Sequence, residues 1–349
     1  MRLANYFKTA LEKQASDLLI AEGSVPALRI DGELVKLPEP VTPSGELAYA
    51  ISIVAGKGII ERVRQQKDLD LSLVFYNNRF RINLHYQKGK LGLAARHIKK
   101  KIPSPKDIGL NEDILKLSRL KDGIILVTGP SGVGKSTTLA VLLEQINIER
   151  KAHIITIEDP IEFVYEEKQC MIEQREIGRD TDSFASALKY SLRQNPDVIM
   201  VGEMRDAETI QAALIAAKTG HLVISTIHTI SAPETIERII DYFPAEDFKK
   251  IASSLSIILR AVITQRLLPK LGGGLVAARE VMVTNRAIAN LIRNMQTEQI
   301  YSVLQTNPKN GMTTMNSSIN ALLEKKLISP TVAGENLLNL ETMSTSYFK

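Results

Sequence analysis

The sequence contains no tryptophan, a single cysteine and no long apolar run, and each shortage excludes a class of protein. Cys170, the lone cysteine, allows no internal disulfide, which fits a reducing compartment. Aromatic residues make up only 5% of the chain, so a groove of aromatic side chains that stack on nucleic-acid bases is not expected. No apolar stretch reaches the roughly 18 residues that a membrane-spanning helix requires. We therefore expect a cytoplasmic protein without a transmembrane segment.

The composition is otherwise that of an ordinary globular protein. The chain has 349 residues, 44% of them hydrophobic and 24% charged, and this length suits two domains. A net charge of +5 permits an acidic partner, such as nucleic acid or an anionic membrane face. The basic residues are dispersed, however, and their one tight run, Lys99–Lys101, is interpreted as a solvated linker. The first eight residues lack the apolar core of a signal peptide.

Hydrophobic patterning predicts a small α+β domain over residues 1–98. Asp68–Phe75 and Arg79–Tyr86 both alternate with period two and flank the turn residues Asn77 and Asn78, which is typical of a β-hairpin. Short strands are also expected at Ser16–Ile20 and before an Asp31-Gly32 turn. Residues 99–107 are charged and contain two prolines, so we expect a linker there. The second domain is expected over residues 108–349.

Strand-like and helix-like segments alternate in this second domain, which predicts a mostly parallel sheet with helices on both faces. Ser231 begins a further predicted helix, with Pro233 in its first turn and Glu234 three residues on. After Gly272–Gly274 the remainder is expected to be helical, with Pro330 near the start of the last helix. The predicted strands are Ile124–Thr128, Ile154–Glu158, Val198–Val201 and Leu222–Ile227, and the helices between them include Phe184–Arg193 and Ala207–Lys218.

A glycine-rich segment between the first of these strands and the following helix has the pattern G-x-x-x-x-G-K-S. Such a loop turns consecutive backbone N–H groups toward one anion, and the positive end of the helix dipole faces the same point. Lys135 can reach the β- and γ-phosphates, and the Ser136 hydroxyl can ligate Mg²⁺. The sequence therefore predicts a site for a nucleoside triphosphate, with ATP and Mg²⁺ as its cofactors. The binding residues are Gly129, Pro130, Ser131, Gly132, Val133, Gly134, Lys135, Ser136 and Thr137.

Candidate catalytic side chains stand where neighbouring strands end or begin. Glu158–Glu162 begins at the last residue of one strand and Glu203 follows another, and carboxyl ends of parallel strands are where ligand sites collect. His221 and His228 bracket the strand Leu222–Ile227. Solvated acids in a turn and histidines bonded within a loop remain the alternatives for these residues. No arginine adjoins the glycine-rich loop Gly129–Thr137, called the P-loop below, to neutralise a developing charge on the phosphates.

Together these motifs resemble the PilT branch of the type IV pilus and type II secretion ATPases, over nearly the whole chain. Glu158–Phe163 is similar to the Asp box of that family, and Val201–Asp206 to its Walker B motif. Thr219–Val223 and Ile227–Thr229 resemble its His box. The resemblance implies a PAS-like N-terminal domain, a RecA-like P-loop ATPase domain with C-terminal helices, and a ring of six subunits.

The same resemblance implies roles for individual residues. Glu162 matches the glutamate that activates water, and Glu203 the Walker B glutamate that acts on Mg²⁺ through water. Arg81 and Arg96 resemble N-domain arginines that approach the nucleotide across a subunit junction. The implied partners are a PilC-like platform protein of the inner membrane and a PilU-like paralogue, with the ATPase peripheral at that membrane and no nucleic acid bound.

The branch within the family is indicated by a C-terminal segment. Ala287–Asn294 matches six of eight positions of the retraction signature A-I-R-N-L-I-R-E, with departures at Ala289 and Asn294. A single cysteine excludes the four-cysteine zinc element of the extension and secretion branches. Retraction of type IV pili, and hence twitching motility, is therefore the expected function. An accessory retraction ATPase of the PilU type, a secretion motor of the DotB type, a nucleic-acid translocase and a non-hydrolysing regulator stay open as alternatives.

Overall fold

The computed structural model describes residues 2–30, 33–98, 102–307 and 311–337. The predicted Asp31-Gly32 turn and the Lys99–Lys101 run therefore lie outside the described residues. Two compact units are present. The first consists of Met1–Lys101 with Glu162–Val164, and the second of Ile102–Ile161 with Tyr165–Lys349. Within the described residues, no helix combines the length and the apolarity needed to cross a bilayer.

The first unit contains an antiparallel six-stranded sheet of order β3-β2-β1-β6-β5-β4, with three helices in the same segment of chain. The predicted hairpin is confirmed as β4 and β5, which pair from Asp68 opposite His85 to Phe75 opposite Asn78. The elements are α1 Arg2–Glu12, β1 Asp17–Ala21, β2 Ala27–Ile30, β3 Glu33–Lys36, α2 Glu46–Ala55, α3 Lys57–Gln66, β4 Asp68–Phe75, β5 Asn78–Gln87 and β6 Lys90–Ile98.

Only one face of this sheet is apolar. Along β5 the side chains of Phe80, Ile82 and Leu84 are buried, whereas Arg81 between them is exposed. Phe7 of α1 stacks on Phe75 and meets Phe80 edge to face, with ring centroids 3.8 and 4.7 Å apart. These contacts build the core of the first unit on that face and leave the opposite face polar.

The second unit contains a seven-stranded sheet of order β13-β12-β7-β11-β10-β8-β9, in which all neighbours are parallel except β12 and β13. This confirms the predicted mostly parallel sheet. The elements are α4 Glu112–Leu115, β7 Gly123–Thr128, α5 Lys135–Glu149, β8 His153–Glu158, β9 Met171–Glu176, α6 Phe184–Ser191, β10 Val198–Val201, α7 Ala207–Lys218, β11 Leu222–Ile227, α8 Ala232–Asp241, α9 Phe248–Ile258, β12 Leu259–Pro269, β13 Leu275–Val283, α10 Arg286–Arg293, α11 Ile300–Thr306, α12 Met315–Glu324 and α13 Pro330–Asn336.

Side-chain caps define where several of these helices begin. Asp206 and Ser231 accept hydrogen bonds from the backbone N–H groups of Thr209 and Glu234, so α7 and α8 begin at the predicted residues. Pro330 begins α13, as expected. The helix at Phe184 ends at Ser191, two residues earlier than predicted.

The prediction that the chain is helical after Gly272–Gly274 is wrong for the segment that follows directly. Leu275–Val283 forms β13, which pairs antiparallel with β12 from Pro269 opposite Leu275 onward. The three glycines all have positive φ, and they close a hairpin between two long strands. Helices begin only at Arg286.

Candidate functional site

The glycine-rich loop connects a completely buried strand, β7, to helix α5. Gly129 has φ 137°, and a Cβ there would lie 2.5 Å from the backbone oxygen of Gln265, so only glycine fits. Gly134, with φ 84°, is the residue that precedes α5. The loop residues from Pro130 to Gly132 are exposed, and Ser136 and Thr137 are half-buried at the start of the helix. The chain thus folds into the strand–loop–helix arrangement that the sequence predicts.

Lys135 is buried within this loop, with 8% of its surface exposed. Its ammonium Nζ donates to the carbonyl oxygens of Gly129 and Pro130, at 2.7 and 2.9 Å. Nζ also lies 3.3 Å from Nδ1 of His228, the residue that follows β11. Since an ammonium can only donate, Nδ1 faces it as an acceptor, and the ring proton then belongs on Nε2.

The other side of the His228 ring faces Glu203. Nε2 of His228 is 3.4 Å from Oε2 of Glu203, and Arg205 pairs with Oε1 of the same carboxylate. The hydrogen bond from Arg205 to Glu203, followed by the charge of Glu203 and then that of Asp159, raises the pKa of the Arg205 guanidinium. Glu203 is 13% exposed, and its Oε2 accepts no hydrogen bond of good geometry from the described residues. Lys135, His228 and Glu203 therefore form one continuous cluster at the carboxyl ends of β10 and β11, beside the P-loop.

Glu158, the buried acid of the first acidic segment, is held inside the sheet. Its Oε1 accepts hydrogen bonds from Thr156 Oγ1 at 2.7 Å and from Gln174 Nε2 at 3.0 Å. Asp159 and Glu162 are exposed, and a cis peptide bond precedes Pro160 between them. Glu162 belongs to the first compact unit, whereas Lys135, Glu203 and His228 belong to the second.

His221 is not part of the Lys135–His228–Glu203 cluster. It precedes β11, whereas His228 follows that strand, so the two histidines stand roughly 20 Å apart at opposite edges of the sheet. Nδ1 of His221 lies 2.9 Å from the carbonyl oxygen of Ala216 and 3.1 Å from the hydroxyl of Thr219. These contacts tie the end of α7 to the start of β11, and a catalytic role for His221 rests on the motif alone.

Arg81 and Arg96 lie side by side on the polar face of the first unit's sheet, where they are cross-strand partners. Arg81 contacts Asp70 at 3.7 Å and Arg96 contacts Asp17 at 2.8 Å, and both arginines are largely exposed. With Asn83 and Ala94 these four residues line a shallow pocket of about 220 Å³. The fold thus gathers both predicted arginines into one charged patch.

Sequence reasoning missed Gln265 and Arg279, because it missed the strands β12 and β13 that carry them. Both border a cavity of about 380 Å³ that also reaches Thr137 at the end of the P-loop. Burial lowers the pKa of the Arg279 guanidinium to about 10, and this side chain donates to the carbonyl oxygens of Ile108 and Gly109. The polar stretch Thr264–Arg266, between the apolar segments Ala261–Ile263 and Leu267–Leu268, was the available signal.

The parallel sheet, its buried P-loop strand and the acid and histidine that follow the next strands place the second unit among the P-loop NTPases of RecA-like topology. Comparison with known families narrows this class. The family described as Type II/IV secretion system protein matches residues 2–325, and the chain belongs to that family. The resemblance predicted from the sequence motifs is therefore confirmed.

Similarity to individual members extends along the chain. The protein is 42% identical over 330 residues to the type IV pilus retraction ATPase PilT of Pseudomonas aeruginosa, covering 94% of this chain and 96% of that one. It is 43% identical over 323 residues to a twitching motility protein of Neisseria gonorrhoeae, covering 91% and 86% of the two chains. The crystal structure of the pilus retraction motor PilT with bound ADP superposes with a TM-score of 0.91 at 43% identity, over 98% of both chains.

Proposed function

We propose that the protein is an ATP-hydrolysing motor that retracts type IV pili and so drives twitching motility. The observation that carries this proposal is the Lys135–His228–Glu203 cluster at the P-loop, in a chain similar throughout to a retraction motor solved with ADP. The match of six positions in Ala287–Asn294 to the retraction signature supports this branch, and Ile288 and Ile292 of that segment are buried in α10.

The P-loop residues Gly129–Thr137 bind the phosphates of ATP in this proposal. Lys135 neutralises the β- and γ-phosphates, and the loop N–H groups and the start of α5 bind their oxygens. The cavity of about 380 Å³ beside Thr137 and Thr138 has room for the nucleoside. Phosphate groups and nucleoside then occupy adjoining parts of one site.

The oxygens at the site suit Mg²⁺, a hard cation that usually keeps several waters. The Ser136 hydroxyl is half-buried at the second residue of α5, and Oε2 of Glu203 is a buried carboxylate oxygen with no hydrogen bond from the described residues. Ser136 would hold the ion directly and Glu203 through water. Bound there, Mg²⁺ would supply positive charge to the β- and γ-phosphates.

Three further groups complete the proposed chemistry. The carboxylate of Glu162 accepts a proton from, and orients, the water that attacks the γ-phosphorus. His228 contacts both Lys135 and Glu203, so it is placed to register whether a γ-phosphate is present. Arg81 and Arg96 act from a neighbouring subunit of a homohexamer, where they stabilise the charge that spreads over the phosphate oxygens.

In the cell, the proposed hexamer lies in the cytoplasm, peripheral to the inner membrane, on a PilC-like platform protein. A PilU-like paralogue is a second proposed partner, and no nucleic acid is expected. The domain division that we propose has a PAS-like domain at residues 1–98, a linker at 99–107 and the RecA-like ATPase domain at 108–349.

Deletion of the gene tests the proposed branch, with pilus number and twitching as readouts. Excess pili with lost motility support retraction. Absent pili point to assembly, and lost protein secretion with normal pili points to a DotB-type secretion motor. Full twitching that weakens only under load indicates a PilU-type accessory role.

The purified protein tests the class of activity. We expect Mg²⁺-dependent ATP hydrolysis by a hexamer, unaffected by DNA. Hydrolysis that DNA stimulates with a steep salt dependence would indicate a nucleic-acid motor instead. An assembled hexamer that binds ATP without turnover would indicate a regulator.

A further inference from the structure

Gln265 is a buried amide on β12 that reaches the P-loop from the strand beside it. β12 pairs with β7, and Thr264 is in register with Thr128, the residue just before the loop. The hydroxyls of these two threonines are 2.8 Å apart. Gln265 therefore stands level with Gly129, the first residue of the loop, and only 1% of its surface is exposed.

Both ends of the Gln265 amide are bonded to the loop and its helix. Nε2 donates to the carbonyl oxygen of Val133, near the end of the loop. Oε1 accepts from the Thr138 hydroxyl in the first turn of α5, at 2.8 Å. Because the backbone oxygen of Gln265 also packs on Gly129, one residue contacts the loop where it begins and where it ends.

The bond to Val133 orients a whole peptide unit. In a trans peptide the carbonyl and the following N–H point to opposite sides. When the oxygen of Val133 faces Gln265, the N–H of Gly134 faces away from it. Phosphate binding at a P-loop depends on such backbone N–H groups being aimed at one point.

We propose that Gln265 is a positioning residue for the triphosphate: it fixes the Val133–Gly134 peptide so that the N–H of Gly134 is presented to the phosphates. This inference rests on the proposed ATPase function. Gln265 also borders the cavity proposed for the nucleoside, but both ends of its amide are bonded to the loop and α5. Its contribution therefore belongs to the binding of phosphate groups rather than to recognition of the base.

Replacement of the amide by an apolar chain of similar size, Gln265→Met, tests this role. Met makes neither of the two amide hydrogen bonds. Loss of the bond that orients Val133 is expected to raise the KM for ATP and the Kd for a fluorescent ADP about tenfold, with a smaller change in kcat. Gln265→Glu is the second variant, because it keeps the acceptor for Thr138 but cannot donate to Val133 when ionised. It should raise KM at least as much as Gln265→Met.

Asn147→Leu is the matched control. Asn147 is also a buried amide of the second unit, and it ties the backbone of Glu166 and Lys168 to the far end of α5. This variant should lower the thermal stability as Gln265→Met does, yet leave KM unchanged. Equal KM effects in the two variants would overturn the inference, since they would reflect general loosening of the fold.

Competition by inorganic triphosphate distinguishes an effect on phosphate binding at the loop from an effect on binding of the nucleotide base. The inhibition constant of triphosphate should rise by the same factor as the KM for ATP in Gln265→Met. If Gln265→Met loses affinity for ATP alone, or loses no affinity at all, the inference is overturned. ATP hydrolysis by the wild-type protein would still support the proposed function in that case. A wild-type protein that binds neither ATP nor triphosphate would overturn both.

Discussion

The two sheets of this protein differ in how their faces are buried. In the second unit, β7 and β11 are buried at every position, because helices cover a parallel sheet on both sides. In the first unit, β5 buries one set of side chains and exposes a polar set on the other face. A parallel sheet can offer a ligand only the ends of its strands, whereas an antiparallel sheet can offer a partner a whole face.

The positions of the candidate residues follow from this difference. Lys135, Glu203 and His228 all lie just beyond strands or loops at one end of the parallel sheet. Arg81 and Arg96 lie in mid-strand on the polar face of the antiparallel sheet. We infer that the first arrangement serves chemistry within a subunit and the second serves contact with a neighbouring subunit.

Removal of Lys135 should damage the site at the parallel sheet most severely. Lys135→Ala takes away the buried cation that we propose faces the triphosphate, so binding and chemistry should both be lost, and kcat/KM should fall more than about 10⁴-fold. Calorimetric ATP binding and phosphate release measure the effect. Lys121 is an exposed lysine that precedes β7, whereas the P-loop follows that strand. Lys121→Ala is the control and should behave as wild type. Retained ATP binding in Lys135→Ala would contradict the assignment of the phosphate site.

Substitutions on the polar face of the antiparallel sheet should change the rate of ATP hydrolysis and not the stability of the fold. Arg81→Ala and Arg96→Ala each break an exposed ion pair, which is worth about 1 kcal/mol or less. The hexamers should form and bind ATP, yet hydrolyse it roughly 10³-fold more slowly, because an arginine supplied to the phosphates contributes that much. Thermal unfolding and turnover measure the two quantities, and Arg62→Ala on α3 is the exposed control.

Mixed rings then show whether these arginines act in trans. Rings that mix Arg81→Ala subunits with Glu162→Ala subunits should regain partial activity. Some junctions in such a ring hold a wild-type Glu162 from one subunit and a wild-type Arg81 from its neighbour. If proven subunit exchange leaves the mixture as inactive as its parents, action across the junction is wrong for that arginine.

Glu162→Ala should separate binding from chemistry. The carboxylate is exposed and is proposed to act only on the attacking water, so ATP binding should be unchanged while kcat falls roughly 10³-fold. Glu166→Ala, an exposed acid of the same connection, should keep full turnover. Retained hydrolysis in Glu162→Ala would remove it as the base, and a loss of binding would place it among the residues that contact the nucleotide.

The smallest effect is expected at Glu280 of β13, which is almost fully buried. It accepts a hydrogen bond from the backbone of Ala232, the first residue of α8, at 2.9 Å. Burial raises the pKa of this carboxyl, although bonds from the N–H groups of Ala232 and Met315 oppose the shift. A raised folded-state pKa means that its stabilising contribution is present below about pH 4.5 and is lost as the pH rises through the folded pKa.

Glu280→Gln should therefore flatten the dependence of stability on pH. The Gln amide oxygen still accepts a backbone N–H, so the variant should gain in Tm relative to wild type as the pH rises from about 4.5 to neutrality. Thermal unfolding across this range is the measurement. Glu324→Gln, at the exposed end of α12, should show no such trend. A Tm difference that stays constant with pH would contradict a raised pKa for Glu280.

The same contrast between sheets explains what sequence patterning could predict. β10 and β11 match their predicted bounds residue for residue, since short apolar runs between turn signals are typical of buried parallel strands. The β4–β5 hairpin was equally clear from its alternation. β12 was missed because Leu259 follows α9 directly, without a turn residue, and an apolar run alone does not separate helix from strand.

The sequence by itself determined the P-loop, the two acidic segments and the histidines, because each depends on residue types at fixed local spacing. It did not determine that His228 joins Lys135 to Glu203, or that Arg81 and Arg96 pair across strands. Nor did it indicate Gln265, whose partners Val133 and Thr138 lie more than a hundred residues away. Only the tertiary structure decided these contacts, because strand order and register bring distant residues together. Local sequence patterns specify neither of them.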